Sequence, residues 1–230
     1  MDLIQALAAE LGKDPRHVEN VVHLLDEGNT IPFIARYRKE LHGAMDDTSL
    51  RTLEERLQYL RGLEERREAV KKSIDEQGKL TDELAAAIDS AKTLAEVEDL
   101  YRPYKQKRRT RATMAKEKGL EPLAALLFAQ ERDCPRPEEA ARDFVDPEKG
   151  VETVEDALQG ASDIIAEQIS DDAAIRKSLR ALISRQGQLV SRAATEDDSV
   201  YRLYYDFTQS VARLQGHQVL AINRGEKEGI

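Results

Sequence analysis

Residues 46–74 read DDTSLRTLEERLQYLRGLEERREAVKKSI. Residues 46–49 supply side chains that favour a helix N-terminus, and the apolar residues after them recur at intervals of three and four, which predicts one long helix with an apolar face. The apolar positions are Leu50, Leu53, Leu57, Leu60, Leu63, Val70 and Ile74. Packing inside the protein is favoured over a dimerising coiled coil, because Arg66 and Arg67 interrupt the stripe after Leu63.

Three shorter helices are predicted before this one. The first ends at Gly12, the second begins at Asp14-Pro15, and the third is capped by Thr30. Three short helices joined by tight turns are typical of a helix-turn-helix unit, but also of many helical proteins that never bind DNA. We expect the inner face of the third helix to carry Phe33, Ile34, Tyr37 and Leu41. Its outer face is expected to carry Arg36, Arg38 and Lys39.

The remainder of the chain also has helical periodicity. Asp171-Asp172 is expected to divide a long apolar pattern into two helices, and Gln188 to Arg192 is the best strand candidate because polar and apolar residues alternate there. The predicted fold class is all-α, a multi-helix array with helix-turn-helix-like elements and at most one short strand. We expect two parts, 1–132 and 133–230, divided near Asp133 by a proline-rich loop.

Composition limits the classes of function. The 230 residues include 44 acidic and 35 basic ones, a net charge of -9, so a protein that coats nucleic acid over its whole surface is excluded. Cys134 is the only cysteine, which fits a reducing compartment and gives cytoplasm as the expected location. The N-terminus does not resemble a secretory signal, and no apolar run is long enough to predict a membrane span.

Motifs for catalysis or metal binding are not found in the sequence. Neither Gly12-Lys13 nor Gly78-Lys79 has the upstream glycine of a phosphate-binding loop. The four histidines do not follow a metal-ligand spacing. Cys134 has no neighbouring base in the sequence that would activate its thiol. We therefore expect no enzyme activity, no metal and no cofactor.

One segment, residues 101–118, is strongly basic and is called the basic segment below. Eight cationic residues against Glu117 alone give it a formal charge of 8 minus 1, or +7. Its cations are Arg102, Lys105, Lys107, Arg108, Arg109, Arg111, Lys116 and Lys118. They could bind phosphates, with Tyr101 and Tyr104 stacking on unpaired bases. Equally, they could pair with the protein's own carboxylates and brace its helices.

The sequence DLYRPYKQKRRTRA at residues 99–112 resembles the signature of the bacterial Tex family of transcription accessory proteins. Further blocks similar to that family are GNTIPFIARYRKE at 28–40, EQGKLT at 76–81, GLEPLA at 119–124 and NRGEKEG at 223–229. Together they span nearly the whole chain.

The resemblance implies a cytoplasmic protein related to the core of a eukaryotic transcription elongation factor and histone chaperone. It also implies further domains, ribonuclease H-like, helix-hairpin-helix and S1, of which the S1 domain is the main nucleic-acid binder. We expect the chain to be an N-terminal fragment without these domains. It is also expected to be a monomer that contacts no membrane.

The leading hypothesis is a non-enzymatic helical module with a weak, sequence-independent contact to RNA or DNA phosphates. The contact residues would be Tyr104, Lys105, Lys107, Arg108, Arg109, Arg111 and Lys116, with Arg36, Arg38 and Lys39 as further candidates. The rival hypothesis is an interaction scaffold that docks other Tex domains or the transcription machinery, with the basic segment purely structural.

Overall fold

A computed structural model of the chain describes residues 2–106, 109–132, 134–195 and 198–230. The chain divides into two compact units, Met1–Tyr101 and Arg102–Ile230. Within the described residues there are twelve α-helices and one sheet of two short strands, which confirms the all-α fold class. Asp133 lies outside the described residues, and the division of the chain into 1–132 and 133–230 stays a prediction.

The first unit contains six helices, among them all four predicted for its N-terminal half. They are α1 (Leu3–Leu11), α2 (Pro15–Asp26), α3 (Ile31–Tyr37), α4 (Asp47–Asp75), α5 (Asp82–Ser90) and α6 (Leu94–Tyr101). Helix α4 begins where the capping residues predict, because the Asp46 side chain accepts a hydrogen bond of 2.7 Å from the backbone N–H of Ser49.

The apolar face of α4 forms the centre of this unit. All seven residues of the predicted stripe are buried: Leu50, Leu53, Leu57, Leu60, Leu63, Val70 and Ile74. Arg67 is buried in the same face, where it donates to Glu64 at 2.6 Å and to the carbonyl of Ala91. The buried stripe therefore continues past Arg67, because Glu64 and the carbonyl of Ala91 neutralise and bond its guanidinium inside the buried face.

Along its flanks, α4 is joined to four other helices by ion pairs, which are called the α4 ladder below. Arg56 binds Glu10 of α1 in a bidentate pair at 2.7 and 2.8 Å. The other three pairs join Arg61 to Asp26 of α2, Arg66 to Glu98 of α6, and Lys71 to Asp89 of α5, at 2.7, 2.5 and 2.9 Å. Each pair is partly exposed and contributes only a fraction of a kcal/mol, about 0.5, so the ladder fixes positions more than it stabilises.

The second unit contains six helices and the sheet. The helices are α7 (Arg111–Glu117), α8 (Glu121–Ala129), α9 (Pro137–Arg142), α10 (Val154–Asp171), α11 (Ala173–Gln186) and α12 (Gly216–Glu228). The predicted break at Asp171-Asp172 is confirmed: Asp172 follows the end of α10, and its side chain accepts from the N–H of Ile175 to cap α11.

The core of this unit brings α7, α8, α9 and α10 close together through small side chains. Seven of its eleven buried residues are alanines. At Gly160 of α10 the approach is closest, since a Cβ there would lie 2.3 Å from Leu120 Cδ1 and 3.3 Å from Ala115 Cβ. Helix α10 therefore needs glycine at this position to pack against α7 and the start of α8.

The two strands are β1 (Gln188–Arg192) and β2 (Asp206–Ser210), paired antiparallel with Val190 opposite Thr208. The first is the strand that the alternation predicts. The second corrects the expectation of at most one strand. Phe207 of β2 packs edge to face against Tyr204, which lies before the strand, with ring centroids 5.4 Å apart.

The α4 ladder should make the first unit sensitive to acid. The hydrogen bonds from Arg56 and Arg61 lower the pKa values of Glu10 and Asp26, respectively. Their stabilisation is therefore present above the ordinary carboxyl pKa of about 4 and is lost as pH falls through the lower folded-state values. Replacing Glu10→Gln together with Asp26→Asn should lower the free energy of unfolding at pH 7 by about 1 kcal/mol.

The measurement is urea denaturation at pH 7 and near pH 2, followed by circular dichroism. The difference between the double variant and the wild type should shrink towards zero at the lower pH, because the wild-type carboxylates are then protonated as well. An equal difference at both pH values would contradict this account.

Two glycines inside helices should respond oppositely to alanine. Gly160→Ala should destabilise by about 1 kcal/mol, since the overpacking against buried Leu120 outweighs the gain in helix propensity. Gly62→Ala in α4 is the matched control: nothing lies within 4 Å of its Cβ position, so it should stabilise by about 0.5–1 kcal/mol. Thermal denaturation of the two variants tests the pair, and a stabilised Gly160→Ala variant would disprove the close approach.

Candidate nucleic-acid interface

The basic segment runs from the last residue of α6, through a short 3-10 helix at Arg102–Tyr104, to the residue after α7. Thr110 caps α7 by accepting from the N–H of Thr113 at 3.0 Å, which fixes the end of the loop that carries the cations. Lys107 and Arg108, both predicted contact residues, lie outside the described residues.

Most of the described cations of the basic segment have partners within the second unit. Arg102 donates to Asp171 at 2.9 Å, and Lys118 donates to the carbonyl of Gly150 at 2.7 Å. Three looser or more exposed pairs join Arg109 to Glu117 at 2.8 Å, Arg111 to Asp163 at 3.7 Å, and Lys116 to Glu121 at 4.0 Å. Five of the six described cations are thus paired within the protein, but the pairs differ in length and exposure.

The exposure of the side chains separates these two roles. Asp171 is largely buried, so Arg102 is placed as a structural partner. The side chains of Arg109 and Arg111 are 69% and 80% exposed, and surface pairs of this kind are weak and easily exchanged for another anion. Lys105 is exposed and, within the part of the chain that the structure describes, forms no ion pair.

The tyrosines of the basic segment are both engaged in the protein. Tyr101 lies against the guanidinium of Arg66, at 5.3 Å from the ring centroid, and its hydroxyl is 3.0 Å from Ser73 Oγ. Tyr104 is partly buried and has an interaction partner of its own. Tyr101 is therefore packed against α4 in the first unit, and its ring is not presented as a free stacking surface.

The second predicted group, Arg36, Arg38 and Lys39, lies around the end of α3. Arg36 is in its last turn, whereas Arg38 and Lys39 follow the helix, which ends at Tyr37. With seven residues, α3 is only about 10 Å long. None of these three cations forms an ion pair with a carboxylate among the residues described. DNA reading by a helix-turn-helix stays a prediction.

Two predicted inward-facing aromatic residues of α3 differ from expectation. Tyr37 is 55% exposed and Phe33 is only partly buried, while Ile31 and Ile34 fill the core side of the helix. The helical spacing alone did not show this, because five hydrophobic residues among seven leave the position of the buried face ambiguous. The order Arg36-Tyr37-Arg38, a ring between two arginines, was the available signal.

An exposed apolar surface on the second unit was also missed. None of the fourteen residues of α11, all of which are described, is buried, although Ile175, Leu179, Leu182 and Ile183 share one helical face. Phe128 of α8, Ile169 of α10 and Ile175 line one groove. We call Phe128, Ile169, Ile175, Leu179 and Ile183 the apolar strip.

The described parts of the chain contain no group of three or more His, Cys, Asp or Glu placed to hold a metal ion. His42 is buried, and neither of its ring nitrogens has a hydrogen-bond partner in the protein. A helix long and apolar enough to cross a membrane does not occur in the described ranges.

The fold and these surfaces define a helical module with clustered cations and an exposed apolar strip. Comparison with known families is specific: the model of the Tex-like protein N-terminal domain matches residues 1–75, and the Tex central region-like model matches residues 133–230. The chain belongs to the Tex family and corresponds to these two regions.

Similar proteins occur in bacteria and in animals. The chain is 48% identical over 232 residues to the uncharacterized protein YdcI of Bacillus subtilis and 43% identical over 235 residues to the transcriptional accessory protein Tex of Neisseria gonorrhoeae. It is 31% identical over 236 residues to the human S1 RNA-binding domain-containing protein 1. These alignments cover 99%, 100% and 98% of this chain but only 32%, 30% and 23% of the relatives. The chain thus spans about a third or less of their length.

Proposed function

We propose that the chain is a non-enzymatic, cytoplasmic module of a Tex-type transcription accessory factor and makes a secondary, sequence-independent contact with nucleic-acid phosphates. The contact is the outer part of the basic segment, from Lys105 to Arg111. The observation that carries the proposal is the exposure of Lys105, Arg109 and Arg111 on one short stretch of chain. The names of two relatives, a transcriptional accessory protein and an S1 RNA-binding domain-containing protein, support the choice of partner.

Weak pairing is compatible with this role. Glu117 and Asp163 hold Arg109 and Arg111 in place without removing them from water. A phosphate that displaces either carboxylate gains a charge-assisted hydrogen bond and releases condensed counterions, so binding depends on salt and not on base sequence. The contact is secondary because the net charge of -9 opposes the approach of a polyanion elsewhere.

A second function, docking of another protein domain, is favoured by the apolar strip. Leu179 and Ile183 are 50% and 54% exposed, one turn apart on α11. A strip of this kind is typical of an interaction surface. Since the matched relatives are about three times as long as this chain, we propose that their remaining part supplies the domain that covers the strip.

If the exposed cations bind phosphates, replacing them should weaken nucleic-acid binding without lowering the stability of the fold. Changing Lys105, Arg109 and Arg111 together to Ala should weaken binding to single-stranded and duplex oligonucleotides alike and lower the slope of log affinity against log salt by about 2–3. The melting temperature should stay unchanged. Arg102→Ala is the matched control: it should leave the salt slope unchanged and destabilise by about 1 kcal/mol, because Asp171 loses a partner.

Fluorescence anisotropy between 20 and 200 mM salt, with thermal denaturation of each variant, measures both properties. If the folded wild type binds no oligonucleotide at 20 mM salt, the phosphate contact does not exist. A triple variant that loses melting temperature but not affinity would instead assign these cations to bracing.

If another domain covers the apolar strip, substitutions in the strip should destabilise the longer protein more than the 230-residue chain. In the 230-residue chain, Leu179→Ser with Ile183→Ser should change stability by less than about 1 kcal/mol, since both side chains are half exposed. In a chimera in which this chain replaces the matched part of the Bacillus subtilis relative, the pair should cost about 3 kcal/mol or more. Val200→Ser, at an almost fully exposed position, should cost little in both. Equal small costs for the strip pair in both proteins would exclude docking at the strip.

A further inference from the structure

The end of α3 carries a compact set of rings and guanidinium groups, Phe33, Arg36, Tyr37 and Arg38, which we call the aromatic–arginine cluster. The two ring centroids are 5.3 Å apart with an interplanar angle of 47°. Arg38 lies over the Phe33 ring at 5.2 Å, and Arg36 lies 6.0 Å from the centroid of Tyr37. Two cations are thus held beside two rings within six residues of the chain.

The outer ring of the cluster is open to solvent. Tyr37, at 55%, is the most exposed of the large apolar side chains described for the first unit. Ile31 and Ile34, earlier in the same helix, are buried and anchor the helix in the core. Exposure of Tyr37 is therefore a property of a well-packed helix and not of a frayed end.

The cations at this site differ from those of the α4 ladder. Arg56, Arg61, Arg66 and Lys71 are all neutralised by the carboxylates of the α4 ladder. In contrast, Arg36, Arg38 and Lys39 have no carboxylate partner within the described residues, and the adjacent Glu40 lowers the local charge only from +3 to +2. A positive site is retained here in a chain with an excess of acidic residues.

We propose that the aromatic–arginine cluster is a base-stacking site for single-stranded nucleic acid, in which an unpaired base stacks on Tyr37 and the flanking phosphates contact Arg36 and Lys39. An exposed ring beside unpaired cations matches the two parts of a nucleotide, a flat base and a phosphate. Duplex DNA does not offer a base face, and an acidic peptide has no equivalent of the base. This mode differs from groove reading by a helix-turn-helix. It deepens the proposed function and rests on its nucleic-acid partner, but on a different surface from the basic segment.

The absence of Trp from the sequence allows a direct test. A Tyr37→Trp variant carries a single indole at the proposed stacking position, and its fluorescence should be quenched strongly on titration with oligo(dT). Heparin, a polyanion without bases, and polyglutamate should cause little quenching. A Tyr59→Trp variant is the matched control, because Tyr59 also lies against an arginine, Arg56 at 4.7 Å, but Glu10 neutralises that arginine. Oligo(dT) should not quench it.

A second measurement separates stacking from charge. Tyr37→Ala should weaken oligo(dT) binding about tenfold without changing the salt slope, since no phosphate contact is removed. Equal quenching of the Tyr37→Trp variant by heparin or polyglutamate, no quenching by oligo(dT), or unchanged affinity in Tyr37→Ala would each overturn the proposal. If the Tyr37→Trp signal is intact while substitutions at Lys105, Arg109 and Arg111 have no effect, the basic-segment contact alone has failed. If the basic-segment substitutions weaken binding but oligo(dT) does not quench the Tyr37→Trp variant, the stacking site alone has failed.

Discussion

Burial of the apolar face of α4 is the interaction on which the first unit depends. The helix has 29 residues and is about 44 Å long, whereas each of its neighbours has twelve residues or fewer. Isolated helices of twelve residues or fewer are marginal in water. Helices α1, α2, α3, α5 and α6 therefore owe their stability to packing on α4, and the α4 ladder determines how most of them are placed.

This dependence explains which parts of the first unit could be predicted. The stripe from Leu50 to Ile74 is a local signal, because the residues of one helical face recur at fixed intervals. The α4 ladder is not local: Arg56 and Glu10 are 46 residues apart in the chain, and Arg61 and Asp26 are 35 apart. The burial of Arg67 in the stripe could not be predicted for the same reason, since the carbonyl of Ala91, which accepts its hydrogen bond, lies on a distant segment.

The same distinction applies to the candidate sites. A count of charges finds the basic segment, but it does not find Asp171 and Asp163, which follow Arg102 and Arg111 by 69 and 52 residues. Tertiary pairing thus reduces the effective charge of a segment whose formal charge is +7. Around α3 the reverse holds, because Arg36 and Lys39 keep their full charge although the segment is short. Local charge density in the sequence and available charge on the surface are different quantities.

In the second unit, helix α11 does not bury an apolar face in the way that the short helices of the first unit do on α4. Helix α11 has the apolar periodicity of a buried helix, and Asp172 caps its start, yet no residue of α11 is buried. A helix of fourteen residues in which no side chain is fully buried is marginal in water. The sequence of α11 is therefore better suited to a covered position than to an exposed one. In the longer Tex-family relatives, a covering domain would do for α11 what α4 does for the short helices of the first unit, and it would remove the apolar strip from water at the same time.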